Sequence, residues 1–104
     1  MALIPEYFPD IEGFQGDEGN SSKNWKRHQV TQTEAEQVFL NRPVVVSAAQ
    51  VRPGDEARYR ALGRTDAGRL LVVVFTLRGS LLRIISARPM SRRERRDYAQ
   101  AIGY

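Results

Sequence analysis

Arginine is the residue type in this sequence whose number and clustering are best suited to chemistry. Residues 51–104 contain twelve arginines against five acidic residues, whereas residues 1–50 contain four basic and seven acidic residues. A guanidinium group presents paired N–H donors that match the oxygen atoms of a phosphate group. The clustering therefore favours binding of a phosphate-containing ligand over a basic surface that is merely solvated.

Two of these arginines, Arg83 and Arg88, lie within a largely apolar stretch, residues 80–88, which reads as a β-strand. Side chains alternate along an unbulged strand, so Arg83 and Arg88 are predicted to lie on opposite faces. A guanidinium in partly apolar surroundings needs an anionic partner. That partner is either a carboxylate of the protein or a phosphate of a ligand, and the sequence leaves both alternatives open.

Further arginines extend the basic surface. In the predicted strand at residues 57–64, arginines alternate with uncharged side chains, which places the arginines on one face. Four more arginines crowd the first turns of a predicted C-terminal helix, where positive charge opposes the helix dipole, so an external anion is expected to compensate. The two groups are Arg58, Arg60 and Arg64 on the strand, and Arg92, Arg93, Arg95 and Arg96 on the helix.

Two side chains are candidates for proton transfer. Histidine is the residue type best suited to move protons near neutral pH, and the chain contains one, His28. Glu94 is the third residue after Ser91, and this Ser-x-x-Glu spacing is typical of a helix capping box. Capping alone accounts for Glu94, so a role as general base is the less economical of two interpretations. A lone histidine is also more often structural than catalytic.

Several classes of site and location are excluded or disfavoured. The chain has no cysteine and lacks phosphate-loop, dinucleotide-binding and zinc-protease motifs, so no metal and no cofactor are predicted. The longest uncharged apolar run, residues 70–77, is far shorter than the roughly 20 residues that span a bilayer. The N-terminus lacks the basic start and apolar run of a signal peptide. The predicted location is the cytoplasm, without membrane contact.

The elements that must position these side chains follow from hydrophobic periodicity and helix caps. Residues 1–9 read as an N-terminal arm and residues 10–104 as one domain. A weakly alternating edge strand at 10–15 precedes a short helix at about 20–28. A second helix begins at a capping box, either Thr33 with Glu36 or Thr31 with Glu34, and ends at residues 41–43.

Strands are predicted at 44–46, 57–64, 69–77 and 80–88, followed by a helix from Ser91 to about residue 102. Short turns join the last three strands, which predicts an antiparallel meander. The order is β-α-α-β-β-β-β-α. The sequence thus predicts an α+β domain with its helices packed on one face of the sheet.

Two stretches of the sequence together resemble a known family. The first comprises Phe14-x-x-Asp17 and Asn24-x-x-Arg27-His28-x-Val30. The second runs from Glu56-x-Arg58-Tyr59 through Gly63-Arg64, residues 68–76 and residues 83–88 to Arg92-Arg93-Glu94-Arg95. Over residues 10–100 this pattern resembles the BrnT toxins, the toxin half of type II toxin–antitoxin pairs.

The resemblance implies a compact RelE-like ribonuclease fold and an inhibition of translation through RNA cleavage. It also implies neutralisation by a BrnA-type antitoxin with a ribbon-helix-helix domain, in an assembly with two copies of each chain. Contact with DNA would then occur only through the antitoxin. Metal-free cleavage of RNA requires an aligned 2′-hydroxyl, cations that stabilise the developing charge, and proton transfer.

Two functional hypotheses follow. The first is a metal-independent endoribonuclease toxin; its catalytic candidates are His28, Glu94, Arg64, Arg83 and Arg88, and its RNA-binding candidates are Arg27, Arg58, Arg92 and Arg95. The second is a diverged member that binds RNA or its antitoxin without catalysis. It is motivated by Gly16 and Asn20, which stand where the family pattern has Trp and Lys.

Overall fold

Three helices and six strands make up the computed structural model, which describes residues 2–3, 12–15, 18–49 and 52–103. In chain order these elements are β1 (Ala2–Leu3), β2 (Gly13–Gln15), α1 (Glu18–His28), α2 (Gln32–Leu40), β3 (Val45–Ala48), β4 (Tyr59–Arg64), β5 (Leu70–Arg78), β6 (Leu81–Pro89) and α3 (Arg92–Ala101). None of the helices in the described part of the chain has the length and apolarity needed to cross a membrane.

The strands form one mixed sheet in the order β1-β3-β4-β5-β6-β2. The meander of β4, β5 and β6 is antiparallel, as predicted, and β2 lies at an edge, parallel to β6. Within the predicted arm, Ala2–Leu3 pair with β3 at the other edge. The rest of the arm and the start of the predicted edge strand, residues 4–11, lie outside the described residues, as does Gly16.

The α+β fold class is confirmed, but the prediction that all helices pack on one face is wrong. The larger core lies between the sheet and α2, where Val38 packs with Val73 and Phe75. The smaller core lies on the other face, where Tyr98 of α3 packs against Leu62 and Val72. Strand β5 is apolar on both faces, and each face needs its own cover. This requirement distributes the helices over two layers.

The second helix begins at the earlier of the two capping boxes that the sequence allowed. The Thr31 hydroxyl accepts a hydrogen bond from the Glu34 N–H at 3.1 Å, and the Glu34 carboxylate accepts one from the Thr31 N–H at 3.1 Å. Arg69 on β5 also bonds the Glu34 carboxylate, at 3.2 Å. The backbone bond from Thr31, with help from Arg69, lowers the pKa of Glu34. These contacts favour a helix that begins after Thr31 rather than after Thr33.

Replacing Gly63 by alanine is expected to destabilise the fold by about 1–3 kcal/mol, the usual cost of overpacking a core. A Cβ atom at Gly63 would lie 2.7 Å from Cγ1 of Val38 and 3.3 Å from its carbonyl oxygen, because α2 packs closely on β4. Urea denaturation measures the change. The control is Gly13→Ala, whose Cβ would meet Leu81 at an ordinary 3.7 Å. Equal stability of the two variants would contradict the close packing.

Candidate active site

A bulge in β6 decides which way its arginines point. Val74 of β5 pairs with Ser86, but Phe75 pairs with Ile84, so Ile85 has no partner on β5 in the described register. The extra residue shifts the alternation by one position. The prediction that Arg83 and Arg88 lie on opposite faces is therefore wrong, since it assumed an unbulged strand. Both arginines lie on the face that carries α3.

Helix α3 covers only part of this face. Leu62 and Val72 lie beneath it in a row of paired residues that continues to Arg88. The next row across the sheet comprises Ser47, Arg60, Val74 and Ser86. All four of these side chains are partly exposed. The sheet therefore offers an accessible floor of mostly small side chains beside the start of α3.

The start of α3 follows β6 after two residues and is fixed by the predicted capping box. The Ser91 hydroxyl accepts a hydrogen bond from the Glu94 N–H at 3.1 Å, and the Glu94 carboxylate accepts one from the Ser91 N–H at 2.8 Å. This confirms the capping interpretation of Glu94. The same cap places the carboxylate directly beside the side chain of Arg88.

Arg88 and Glu94 form a two-pronged ion pair. Nη1 of Arg88 lies 2.6 Å from Oε1 of Glu94, and Nη2 lies 2.7 Å from Oε2. Nη1 of Arg60 approaches the same carboxylate at 3.6 Å. Hydrogen bonds from Arg88, and then from Ser91, lower the pKa of Glu94 from 4.5 to about 2, against the opposing effect of burial. The sequence left two partners open for Arg88, a carboxylate of the protein or a phosphate of a ligand. In the structure the partner is a carboxylate, that of Glu94.

This ion pair forms one wall of a cleft of about 580 Å³. The described lining comprises Arg60, Arg88, Ser91, Arg93, Glu94 and Asp97. Arg88 uses three of its five N–H groups in the described bonds, two to Glu94 and one to the Pro89 carbonyl oxygen. Its side chain remains 41% exposed. Glu94 therefore holds Arg88 in place while part of the guanidinium still faces the cleft.

Apart from Arg88 and Glu94, none of the predicted site residues is in the described lining of this cleft. Arg64 donates to the Arg42 carbonyl oxygen at 2.8 Å, near the end of α2. Arg83 is half-buried on the same face as Arg88 but farther along the strand. The remaining predicted RNA-binding residues are exposed and lie outside the described lining: Arg27 on α1, Arg58 before β4, and Arg92 and Arg95 on α3.

His28 lies at the end of α1, on the side of the sheet that α2 occupies. Arg69 donates to the carbonyl oxygens of His28 and Gln29, at 3.1 and 2.8 Å, and so fixes the junction of α1 and α2. The described hydrogen bonds and ion pairs do not link the imidazole of His28 to the Arg88–Glu94 pair. His28 is also absent from the described lining of the cleft.

Arg60 and Arg93 line the cleft, although neither was among the site residues predicted from the sequence. The alternation of arginines in residues 57–64 predicted the face of the strand on which Arg60 lies. It did not predict that Arg60 pairs with Val74 of β5, which brings it to the cleft. Tyr98 of α3 is a packing residue rather than part of the cleft, because it is buried and its hydroxyl donates to the Pro43 carbonyl oxygen at 2.6 Å.

Comparison with known proteins identifies the family of this chain. Residues 17–94 match the model of a family described as the ribonuclease toxin BrnT of type II toxin–antitoxin systems. The chain belongs to the BrnT family. This family is one of ribonuclease toxins, and a type II toxin acts together with an antitoxin partner. The resemblance seen in the sequence is confirmed, and the match includes both Arg88 and Glu94.

A solved structure supports the fold of this BrnT family member. The 1.1 Å crystal structure of the Brucella abortus ribonuclease toxin BrnT is similar, with a TM-score of 0.56 at 22% sequence identity. The similarity covers 77% of this chain and 97% of the Brucella chain. Comparison with curated proteins finds no match. The shared architecture is therefore that of a BrnT toxin.

Proposed function

We propose that this BrnT family member is an endoribonuclease that cleaves RNA without a metal ion and thereby inhibits translation. The observation that carries the proposal is the two-pronged Arg88–Glu94 pair at the wall of an arginine-lined cleft. Arg60 and Arg93 supply further positive charge at the same cleft. The cleft would bind the scissile phosphate, whose charge rises as the 2′-oxygen attacks.

In this mechanism the cations act mainly on the transition state. The 2′-oxygen forms a bond to phosphorus while the bond to the 5′-oxygen breaks, and negative charge accumulates on the phosphoryl oxygens. A guanidinium that is already fixed in position stabilises that charge without reorganisation during the reaction. Glu94 fixes Arg88 in this way. We therefore assign Glu94 the role of a positioning residue.

Proton transfer in this mechanism uses neither His28 nor Glu94, the two candidates identified in the sequence. Glu94, with a pKa of about 2, is ionised at neutral pH but is a weak proton acceptor. His28 lies outside the described lining of the cleft. We propose that the 2′-hydroxyl gives its proton to water and that the leaving 5′-oxygen takes one from water. Catalysis then rests on alignment and charge.

The alternative function, a binding module without catalysis, has one structural argument in its favour. Within the described lining of the cleft there is no histidine, and the buried carboxylate is engaged by Arg88. Such a site would bind phosphate but accelerate its reaction little. Expression without a partner discriminates the two functions, because an active toxin stops growth and a binding module leaves growth normal with abundant soluble protein.

Incubation of the purified protein with RNA in the presence of EDTA tests the proposed activity. The described residues contain no cluster of three or more His, Cys, Asp or Glu side chains able to hold a metal ion. The proposal expects RNA fragments to accumulate in EDTA at the rate seen without it. Intact RNA under both conditions would support the binding module. Cleavage that requires added Mg²⁺ or Mn²⁺ would contradict the metal-independent mechanism.

We also propose that the antitoxin is a BrnA-type protein whose ribbon-helix-helix domain dimerises, so that the complex contains two copies of each chain. DNA contact would come through that domain alone. The arginines beside the cleft would attract an acidic antitoxin segment, which would raise the association rate and block RNA. The proposed activity inhibits translation, and translation takes place in the cytoplasm. We therefore propose the cytoplasm as the place of action.

A further inference from the structure

Helix α1 carries a large aromatic side chain that the proposed cleavage site does not use. Trp25 is 54% exposed and is the one tryptophan of the chain. It is followed by Lys26 and Arg27, which are also exposed. The favourable interaction of cations with the C-terminal end of a helix accounts for the two basic residues. It does not account for a half-exposed indole among them.

The position of α1 relates this tryptophan to the cleft. Asn24, which directly precedes Trp25, is buried, and its Oδ1 accepts a hydrogen bond from the Ala87 N–H at 3.2 Å. The next residue on β6 is Arg88, which lines the cleft. In the described sheet β2 pairs only with Leu81–Arg83, so Ala87 lies on an edge of the sheet. Asn24 thus holds α1 at that edge of β6, where the next residue of the strand, Arg88, lines the cleft.

We propose that α1 is a second contact for the same RNA, with Trp25 as a stacking platform for an unpaired base outside the cleft. This inference rests on the proposed function. An RNA strand that leaves the cleft across the edge of β6 would meet α1 next. Lys26 and Arg27 would neutralise phosphates of that segment. An aromatic ring accepts any base, so the contact would favour single-stranded RNA without reading its sequence.

Single-stranded RNA suits this surface better than an acidic protein segment does. Both ligands match the positive charge of Lys26 and Arg27. Stacking of a base uses the flat face of a solitary, exposed indole, whereas burial of a tryptophan at a protein interface needs an apolar surround. Of the described side chains on α1, Trp25 is the large apolar one. The aromatic and basic composition therefore indicates a nucleic-acid strand.

The fluorescence of Trp25 tests the inference directly, because no other tryptophan contributes to the signal. The probe is a fully 2′-O-methylated RNA of about ten nucleotides, a length within the usual range for single-strand sites. It cannot be cleaved, and a terminal dye reports its binding by anisotropy. We expect the indole emission to be quenched with the same midpoint as the anisotropy change, and a dinucleotide to leave the emission unchanged.

Substitutions separate stacking from a general loss of binding. Trp25→Ala should weaken binding of the decamer roughly 5- to 100-fold. Trp25→Phe should restore most of the affinity. Dinucleotide affinity should stay the same in both variants. Leu40→Ala is the matched control, because Leu40 is another exposed apolar side chain, and it should leave decamer affinity unchanged.

Each contrary result has a distinct meaning. Binding of the decamer without a change in indole emission would overturn the stacking platform and leave the proposed ribonuclease intact. A response of the emission to poly-glutamate but not to RNA would also overturn it, in favour of an acidic protein partner. If the decamer does not bind and RNA is not cleaved, the proposed function fails together with this inference.

Discussion

Replacing Arg88 by alanine is expected to lower kcat/KM for RNA cleavage by about 10²–10³-fold, the usual effect of removing one preorganised transition-state donor. Arg88 is held by two bonds to Glu94 of 2.6 and 2.7 Å, so its guanidinium is in place before the substrate binds. Arg88→Lys should recover little of the activity, because an ammonium group cannot reproduce both bonds to the carboxylate. Cleavage of a dye-labelled RNA under single-turnover conditions measures the effect.

The control for this variant is an arginine that also forms an ion pair but lies outside the described lining of the cleft. Arg78 lies at the end of β5 and pairs with Glu56 at 3.4 Å, with nearly half of each side chain exposed. Arg78→Ala should change kcat/KM by no more than about twofold, since exposed pairs contribute little. If Arg88→Ala retains full activity, or if Arg78→Ala loses as much, the cleft is not the catalytic site.

The stability of the protein is expected to fall by about 3 kcal/mol between pH 5 and pH 2 because of Glu94. Its pKa is about 2 in the folded protein against an ordinary 4.5. A carboxyl group with a lowered pKa stabilises the fold above its ordinary pKa, and this contribution is lost as the pH falls towards the folded value. Urea denaturation at a series of pH values measures the slope.

Substitution of Glu94 separates its contribution from the general acid sensitivity of the protein. Glu94→Gln should be less stable at pH 7 and should show a shallower decline below pH 5, because its amide does not titrate. Glu56→Gln is the matched control, since its exposed pair with Arg78 should leave the wild-type profile nearly unchanged. A Glu94→Gln profile parallel to that of the wild type would show that Glu94 does not control the acid response.

Local patterns in the sequence predicted much of this fold. The capping box at Ser91 and Glu94 and the short turns of the meander depend on residues close together in the chain, and both predictions are confirmed. The choice of face for α3 depends on which side of β5 remains uncovered once α2 has packed. That is a tertiary property. The apolar residues on both faces of β5 were the available signal for a second layer.

The site was harder to predict because it depends on one bulge and on cross-strand register. The two-residue periodicity of a regular strand predicted Arg83 and Arg88 on opposite faces. The bulge at Ile85 shifts this alternation, so both arginines lie on the same face. Arg60 reaches the cleft because β4 pairs with β5 in a particular register. The sequence of β4 alone does not determine that register. Glu94 was identified through its cap, yet its bonds to Arg88 required the contact between β6 and α3.

In the proposed mechanism, this cleft aligns a 2′-hydroxyl on a phosphate and stabilises the resulting charge. The most direct measurement is the analysis of the product ends of RNA cleaved in EDTA, alongside the same RNA with a 2′-deoxy nucleotide at the main cleavage position. The proposed mechanism predicts a 2′,3′-cyclic phosphate and a 5′-hydroxyl, and no cleavage at the deoxy position. Products with a 3′-hydroxyl, or undiminished cleavage at the deoxy position, would contradict it.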